Sequence, residues 1–313
     1  MKITKPKFWG EKNSPYSIIL LPLTLLLKLL VNIKKRLVTP VEFKIPVICV
    51  GNIYIGGTGK TPLSVLISNE ILKLGKKPSI VRKFYKSHSD EYNLIKEKFN
   101  YLILNENRVD AIYSAIEKGY DLVVLDDGFQ DYKIKKNFNI ICFNQFQLIG
   151  NGLTLPSGPL RESLESLKDA NIVVINGNFE REFEKKILKI NKNIEIFYSS
   201  YKPINLHKLR NKRLVALAAI GNPENFFNLL KENNFILEKT FIFPDHYRFS
   251  KNEIINIKNY AEEQKADFVM TEKDYFKIKD FNLDNINYIK VDLEIENKQK
   301  LIKRVIKLYD QNY

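Results

Sequence analysis

Between positions 46 and 62 the chain reads as a short buried strand, a glycine-rich loop and the start of a helix. The strand is Pro46-Val-Ile-Cys-Val50, and the loop runs Gly51-Asn-Ile-Tyr-Ile-Gly-Gly-Thr-Gly59-Lys60-Thr61-Pro62. That order constrains the fold more than any other feature, because it places a flexible loop at the carboxyl edge of a sheet, in front of a helix N-terminus. Successive backbone N–H groups in such a loop hold phosphate oxygens, Lys60 adds a point charge, and the Thr61 hydroxyl can ligate Mg²⁺. Glycines at 56, 57 and 59 remove the Cβ atoms that would obstruct an approaching phosphate. The strict pattern G-x-x-x-x-G-K-[ST] wants glycine at position 54, where this chain has Tyr54. The segment expected to bind nucleotide is therefore Tyr54, Ile55, Gly56, Gly57, Thr58, Gly59, Lys60 and Thr61.

Around this loop, apolar strand runs alternate with helical stretches. Strands are expected near 79–81, 101–104, 122–125, 140–143, 172–175 and 194–198, with helices at 60–74 and 108–118. The alternation predicts an α/β fold, a P-loop NTPase-like, mostly parallel sheet with helices on both faces. A second, smaller α/β unit begins near Leu214, with strands at 214–219, 239–243 and 268–271 and helices at 224–233, 251–263 and 298–308. The expected division is an N-terminal region at 1–40, a P-loop core at 41–205 and a smaller domain at 206–313 that closes the site. The strand at 122–125 ends in Asp126-Asp127, which places carboxylates beside the phosphate loop, where one can hold the Mg²⁺ shell. Loop and acids together point to a P-loop NTPase or kinase.

Composition bounds the remaining classes. The chain has 313 residues, 44% of them hydrophobic, so a sizeable core forms. Two cysteines exclude a disulfide framework and a thiolate zinc cluster. The 50 basic residues exceed the 36 acidic ones, but only nine are Arg, whereas nucleic-acid readers concentrate Arg and aromatics on one face. No nucleic-acid partner is expected. Near the N-terminus, the apolar run from Tyr16 to Val31 is interrupted by Pro22 and Lys28 and followed by Lys34-Lys35-Arg36. It is too broken to span a bilayer and reads either as an interfacial helix or as a core helix.

Further motifs lie downstream. They are SDE at 89–91, LDDGFQ at 125–130, NGLTLPSGPLRE at 151–162, IGNPENFF at 220–227, FPDHYRF at 243–249 and TEKD at 271–274. With GGTGKTP at 56–62, their order and spacing resemble the tetraacyldisaccharide 4'-kinases of lipid A biosynthesis along nearly the whole chain. That family also lacks a glycine at the position of Tyr54. The resemblance implies transfer of the ATP γ-phosphate to the 4'-hydroxyl of an acylated glucosamine disaccharide 1-phosphate, with ATP and Mg²⁺ as cofactors. Asp90 matches the carboxylate that takes the acceptor proton, His246 its orienting partner and Lys60 the catalytic lysine. Thr61, Asp126 and Asp127 match the metal site, and Tyr85, Glu91, Gln130 and Arg161 the acceptor contacts. Asp90 and His246 then fall on different expected domains and would face each other across a cleft. Two departures stand out: Arg82-Lys83-Phe84-Tyr85 replaces an RGYG-like stretch, and Asp131 replaces a histidine.

The resemblance also implies the lipid substrate, an anionic membrane surface as partner, and peripheral attachment to the cytoplasmic face of the bacterial inner membrane. The alternative is a membrane-associated P-loop ATPase of the partitioning type. Those proteins usually carry a second lysine at the position of Ile55.

Overall fold

The structure is a computed structural model and describes residues 5–86, 88–209, 212–245 and 247–312. The chain opens with α1 (Pro15–Ile19) and α2 (Leu21–Leu37), then β1 (Val47–Gly51), α3 (Lys60–Lys73) and β2 (Pro78–Lys83). Next come α4 (Ser89–Lys98), β3 (Leu102–Asn105), α5 (Arg108–Glu117), β4 (Leu122–Asp126) and β5 (Phe138–Asn144). They are followed by β6 (Ile172–Asn176), α6 (Arg181–Ile190), β7 (Glu195–Pro203), β8 (Arg213–Ala218) and α7 (Pro223–Glu232). The remaining elements are β9 (Ile236–Ile242), α8 (Lys251–Glu263), β10 (Asp267–Thr271), α9 (Glu272–Ile278), β11 (Asn287–Ile289), β12 (Val291–Ile295) and α10 (Lys298–Asn312).

The larger sheet has the order β12-β7-β6-β5-β1-β4-β2-β3, and β7 through β3 in that row are parallel. Its central strands β1, β4 and β6 are buried along their whole length, which is why they read in sequence as continuous apolar runs rather than alternations. The chain leaves β1 toward β2 and β3 on one side, returns as β4 beside β1, and then continues from β5 on the other side. β1 thus sits at the switch point, where ligands of open α/β sheets bind beyond the carboxyl ends. The second sheet, β11-β10-β8-β9, is also parallel, with α7 and α8 packed on it. Two apolar clusters cover its faces, one around Phe226, Phe227 and Leu230, the other around Phe249, Ile254 and Phe268.

The compact units differ from the expected division. One comprises residues 85–100 with 201–293, the other 3–84, 101–200 and 294–313. Helix α4, expected inside the core at 41–205, pairs instead with α9 through Lys98–Glu272 (2.9 Å) and Lys273–Glu91 (3.0 Å). The C-terminal helix α10, expected in the smaller domain, belongs with the large sheet, where Lys298 meets Glu70 at 3.0 Å. Amphipathic periodicity locates a helix but does not say which sheet it covers.

In the large unit, the N-terminal segment is tied to the turn-rich loop after β5. Trp9 Nε1 donates to Pro156 O at 3.0 Å, and Thr24 Oγ1 donates to Ser157 Oγ at 2.7 Å. Gly158 in this loop has no room for a side chain, since a Cβ there would overlap the Leu153 carbonyl and the Asn151 side chain. Gly158→Ala is predicted to cost about 1–3 kcal/mol, the usual range for overpacking. Urea denaturation of the two proteins measures it, and a variant with an unchanged midpoint would contradict the tight loop.

Candidate active site

The loop after β1 is built by its neighbours. Gly56 and Gly59 have φ of 121° and 90°, in the left-handed region that side chains disfavour, and Gly59 is the N-cap of α3. Buried Asn52 donates from Nδ2 to Gly56 O (3.2 Å) and Thr58 Oγ1 (3.0 Å), which pins the turn from within. Gln130 Nε2 donates to Asn52 O at 2.8 Å. The loop that follows β5 supports the other side, through Ile55 N to Pro159 O (3.0 Å) and Arg161 N to Ile53 O (2.6 Å). Tyr54 is buried and bridges Leu160, and burial raises its phenol pKa above the ordinary value. A tyrosine at this position therefore serves as packing for the loop. The first backbone N–H groups of α3, which no helix can satisfy internally, begin at Lys60.

At the end of β4, Asp126 is fully buried and accepts from three side chains. Ser64 Oγ donates to Oδ1 at 3.0 Å, Thr61 Oγ1 donates to Oδ2 at 3.0 Å, and Arg82 Nη1 donates to the same Oδ2. Arg82 Nη1 also donates to Thr61 Oγ1, at 2.9 Å. Asp127 turns away with φ of 55°, an outlying backbone for a residue other than glycine. Its carboxylate meets Arg161 Nη1 at 3.0 Å and Lys60 Nζ at 3.6 Å, while Arg108 Nη2 donates to its carbonyl at 2.7 Å. Burial alone would raise the Asp127 pKa, but Lys60, Arg161, Arg82 and Arg108 outweigh it and hold the carboxyl well below the usual range.

The other compact unit carries a second cluster. Lys273 Nζ lies 3.0 Å from Glu91, 3.0 Å from Asp245 and 3.7 Å from Asp90. Lys277 Nζ donates to Asp274 Oδ1 at 2.7 Å and Ala219 O at 2.8 Å, and lies 4.0 Å from Asp90. Asp274 is anchored by Ala219 N (2.9 Å) and Thr271 Oγ1 (2.7 Å). Tyr85 is half-exposed, its ring centroid 5.0 Å from that of His88, and its backbone N–H donates to Tyr92 Oη at 2.6 Å. His246 lies outside the described residues. Asp90 shares its unit with Asp245.

Of the residues expected from sequence, Tyr54 to Thr61, Asp126, Asp127, Gln130 and Arg161 converge in the large unit. Asp90, Glu91 and Tyr85 lie in the other. Gln130, expected at the acceptor, has its amide on the phosphate loop. Sequence reasoning missed Arg82, Arg108, Asn52, Ser64, Lys273 and Lys277. The scarcity of Arg was the available signal for the first two, and the TEKD segment for Lys273.

A phosphate loop after a central parallel strand, with a buried acid at the end of the adjoining strand, defines a P-loop protein of the α/β class. The family model for tetraacyldisaccharide-1-P 4'-kinase matches residues 16–310, and the chain belongs to that family. It is accordingly a kinase of lipid A biosynthesis, and the partitioning-type ATPase alternative falls. Relatives named tetraacyldisaccharide 4'-kinase include one from Pelagibacter ubique, 39% identical over the full length of both chains. Another, from Rickettsia akari, is 30% identical over 98% of each. The crystal structure of LpxK from Aquifex aeolicus in complex with ATP shares the fold, with a TM-score of 0.71 at 22% identity, over 93% of this chain and 99% of that one.

The depressed Asp127 pKa gives a signed prediction. A carboxyl held low in the folded state contributes stability above its unfolded pKa, about 3.9, and loses it as pH falls. Wild type is predicted to lose more unfolding free energy than Asp127→Asn between pH 5 and the acid limit of folding, narrowing the gap between them. Urea titrations at several pH values test this, and parallel losses would contradict it.

Proposed function

We propose that the residues at the carboxyl edge of β1 and β4 bind ATP with Mg²⁺, and that Asp90 serves as the base for the acceptor hydroxyl. The observation that carries this reading is the junction of Lys60, Thr61, Asp126 and Asp127 at one sheet edge. A relative of the same fold was solved with ATP, which supports the nucleotide. The donor set fits a hard cation: Thr61 and Asp126 offer oxygen only, and the pair already accommodates the positive charge of Arg82. Among the described residues no group of three or more His, Cys, Asp or Glu could hold a metal alone. That fits Mg²⁺, which takes one or two protein ligands and completes its shell with phosphates and water. Bound there, Mg²⁺ would neutralise charge on the β- and γ-phosphates.

The chain's own groups then divide the work. Backbone N–H groups of 56–61 and the Lys60 ammonium hold the phosphates, and Arg161 and Arg108 keep Asp127 ionised beside them. Asp90 takes the proton of the 4'-hydroxyl as its oxygen bonds to the γ-phosphorus and the bond to ADP breaks. Lys273 and Lys277, at 3.7 and 4.0 Å from its carboxylate, flank Asp90, and His246 orients it. Tyr85, Glu91 and Arg161 are assigned to the disaccharide 1-phosphate. ATP turnover with and without that lipid tests the reading directly: hydrolysis indifferent to the lipid would overturn it. Asp90→Ala is predicted to lower kcat about 10²- to 10⁴-fold, the range for a positioned acid–base group, with little change in ATP affinity. His246→Ala should cost less, and the double variant little more than Asp90→Ala alone. Collapse of ATP affinity in Asp90→Ala would make it a nucleotide ligand instead.

The location proposed is the membrane surface. Helices α1 and α2 are inverted relative to a core helix: Ser17 and Thr24 are buried, while Ile19 is 74% exposed and Leu25 64%. Leu23, Leu26, Leu29 and Leu30 are exposed as well, and Lys34, Lys35 and Arg36 close the helix. No helix among the described residues is long and apolar enough to cross a membrane. An apolar outer face with a basic end suits the interface of an anionic bilayer, where the acyl chains of the substrate reside. Replacing Leu25 and Leu29 with Asp is predicted to weaken binding to phosphatidylglycerol vesicles more than tenfold, at about 1.5–3 kcal/mol per leucine, without changing the melting temperature. Unaltered co-sedimentation would contradict this placement.

A further inference from the structure

We infer that Arg82 is a resident counter-cation for the metal-binding pair, holding Thr61 and Asp126 ready and excluding a divalent ion until nucleotide arrives. The inference rests on the reading of Thr61 and Asp126 as the metal ligands. Asp126 is completely buried, and an ionised carboxylate there requires a partner of opposite charge. Arg82, itself buried on β2, supplies it from one nitrogen shared between Asp126 Oδ2 and Thr61 Oγ1. The Thr61 hydroxyl has a single proton, which goes to Asp126, so it accepts from Arg82. The two oxygens that would take a divalent ion are therefore the two that Arg82 holds.

A guanidinium does not deprotonate in proteins, so Arg82 cannot yield by losing its charge; it yields only by moving. A bare divalent ion offers it no new partner. The phosphates of ATP do, since a guanidinium pairs readily with phosphate oxygens. Metal uptake is thereby coupled to nucleotide uptake, and the buried acid is charge-compensated in both states.

Binding of Mn²⁺ to the full-length, nucleotide-free enzyme, followed by the EPR signal of free Mn²⁺, tests this without reference to turnover. Arg82→Gln is predicted to bind Mn²⁺ at least tenfold more tightly than wild type. Arg82→Lys keeps the charge needed for folding but replaces a planar guanidinium with an ammonium on a shorter, more flexible stem, and is predicted to bind at least threefold more tightly. Arg82 variants that take up Mn²⁺ no better than wild type would overturn the inference; if Arg82→Gln does not fold, Arg82→Lys decides alone. Asp126→Asn in the Arg82→Lys background, also free of nucleotide and followed by the same signal, separates the two claims. Loss there of the Mn²⁺ binding gained by Arg82→Lys upholds Asp126 as the metal ligand, and retention overturns both claims.

Discussion

The structure of the large unit depends on one buried carboxylate. Asp126 ends β4, and its two oxygens gather Ser64 and Thr61 from α3 and Arg82 from β2. Three elements, α3, β2 and β4, are thereby locked at the sheet's carboxyl edge. Such a group is costly to bury and costlier to leave unpaired, so the geometry around it is over-determined. The phosphate loop inherits that rigidity, because Thr61 belongs to both.

Asp127 extends the same logic outward. The chain turns at a left-handed residue, and four cations surround its carboxyl. Strain of this kind persists only where the surroundings enforce it, and here they do so beside the loop that would hold a triphosphate. Lys60, Arg161 and Arg108 face two acids, Asp127 and Asp131, and the remaining surplus of positive charge suits polyanion binding.

Much of this was legible in the sequence, for identifiable reasons. Parallel strands buried on both faces spell themselves out as VICV, LVVL and IVVI, so the sheet and its order of strands and helices could be read from residues alone. The loop from Tyr54 to Thr61 and the Asp126-Asp127 pair followed from their place after those strands. The excursion of residues 85–100 into the other unit was not legible, since it depends on Lys98 and Glu91 finding partners on α9 nearly two hundred residues away. Arg82 was noticed only as part of a departure from a familial pattern, although it proves to be the strongest partner of the central acid. Lys277, outside the TEKD segment, was hidden in a chain so rich in lysine that no single one stands out.

The central claim is that the β1–α3 loop and its flanking acids form the phosphate site of the nucleotide. It is tested most directly by the equilibrium affinity for ATP, measured by calorimetry in wild type and in Lys60→Ala whose unfolding transition matches wild type. Loss of a charge-assisted contact worth about 1.5–3 kcal/mol corresponds to roughly 10- to 100-fold weaker binding. The account predicts a loss in that range; an ATP affinity unchanged in the folded variant would contradict it.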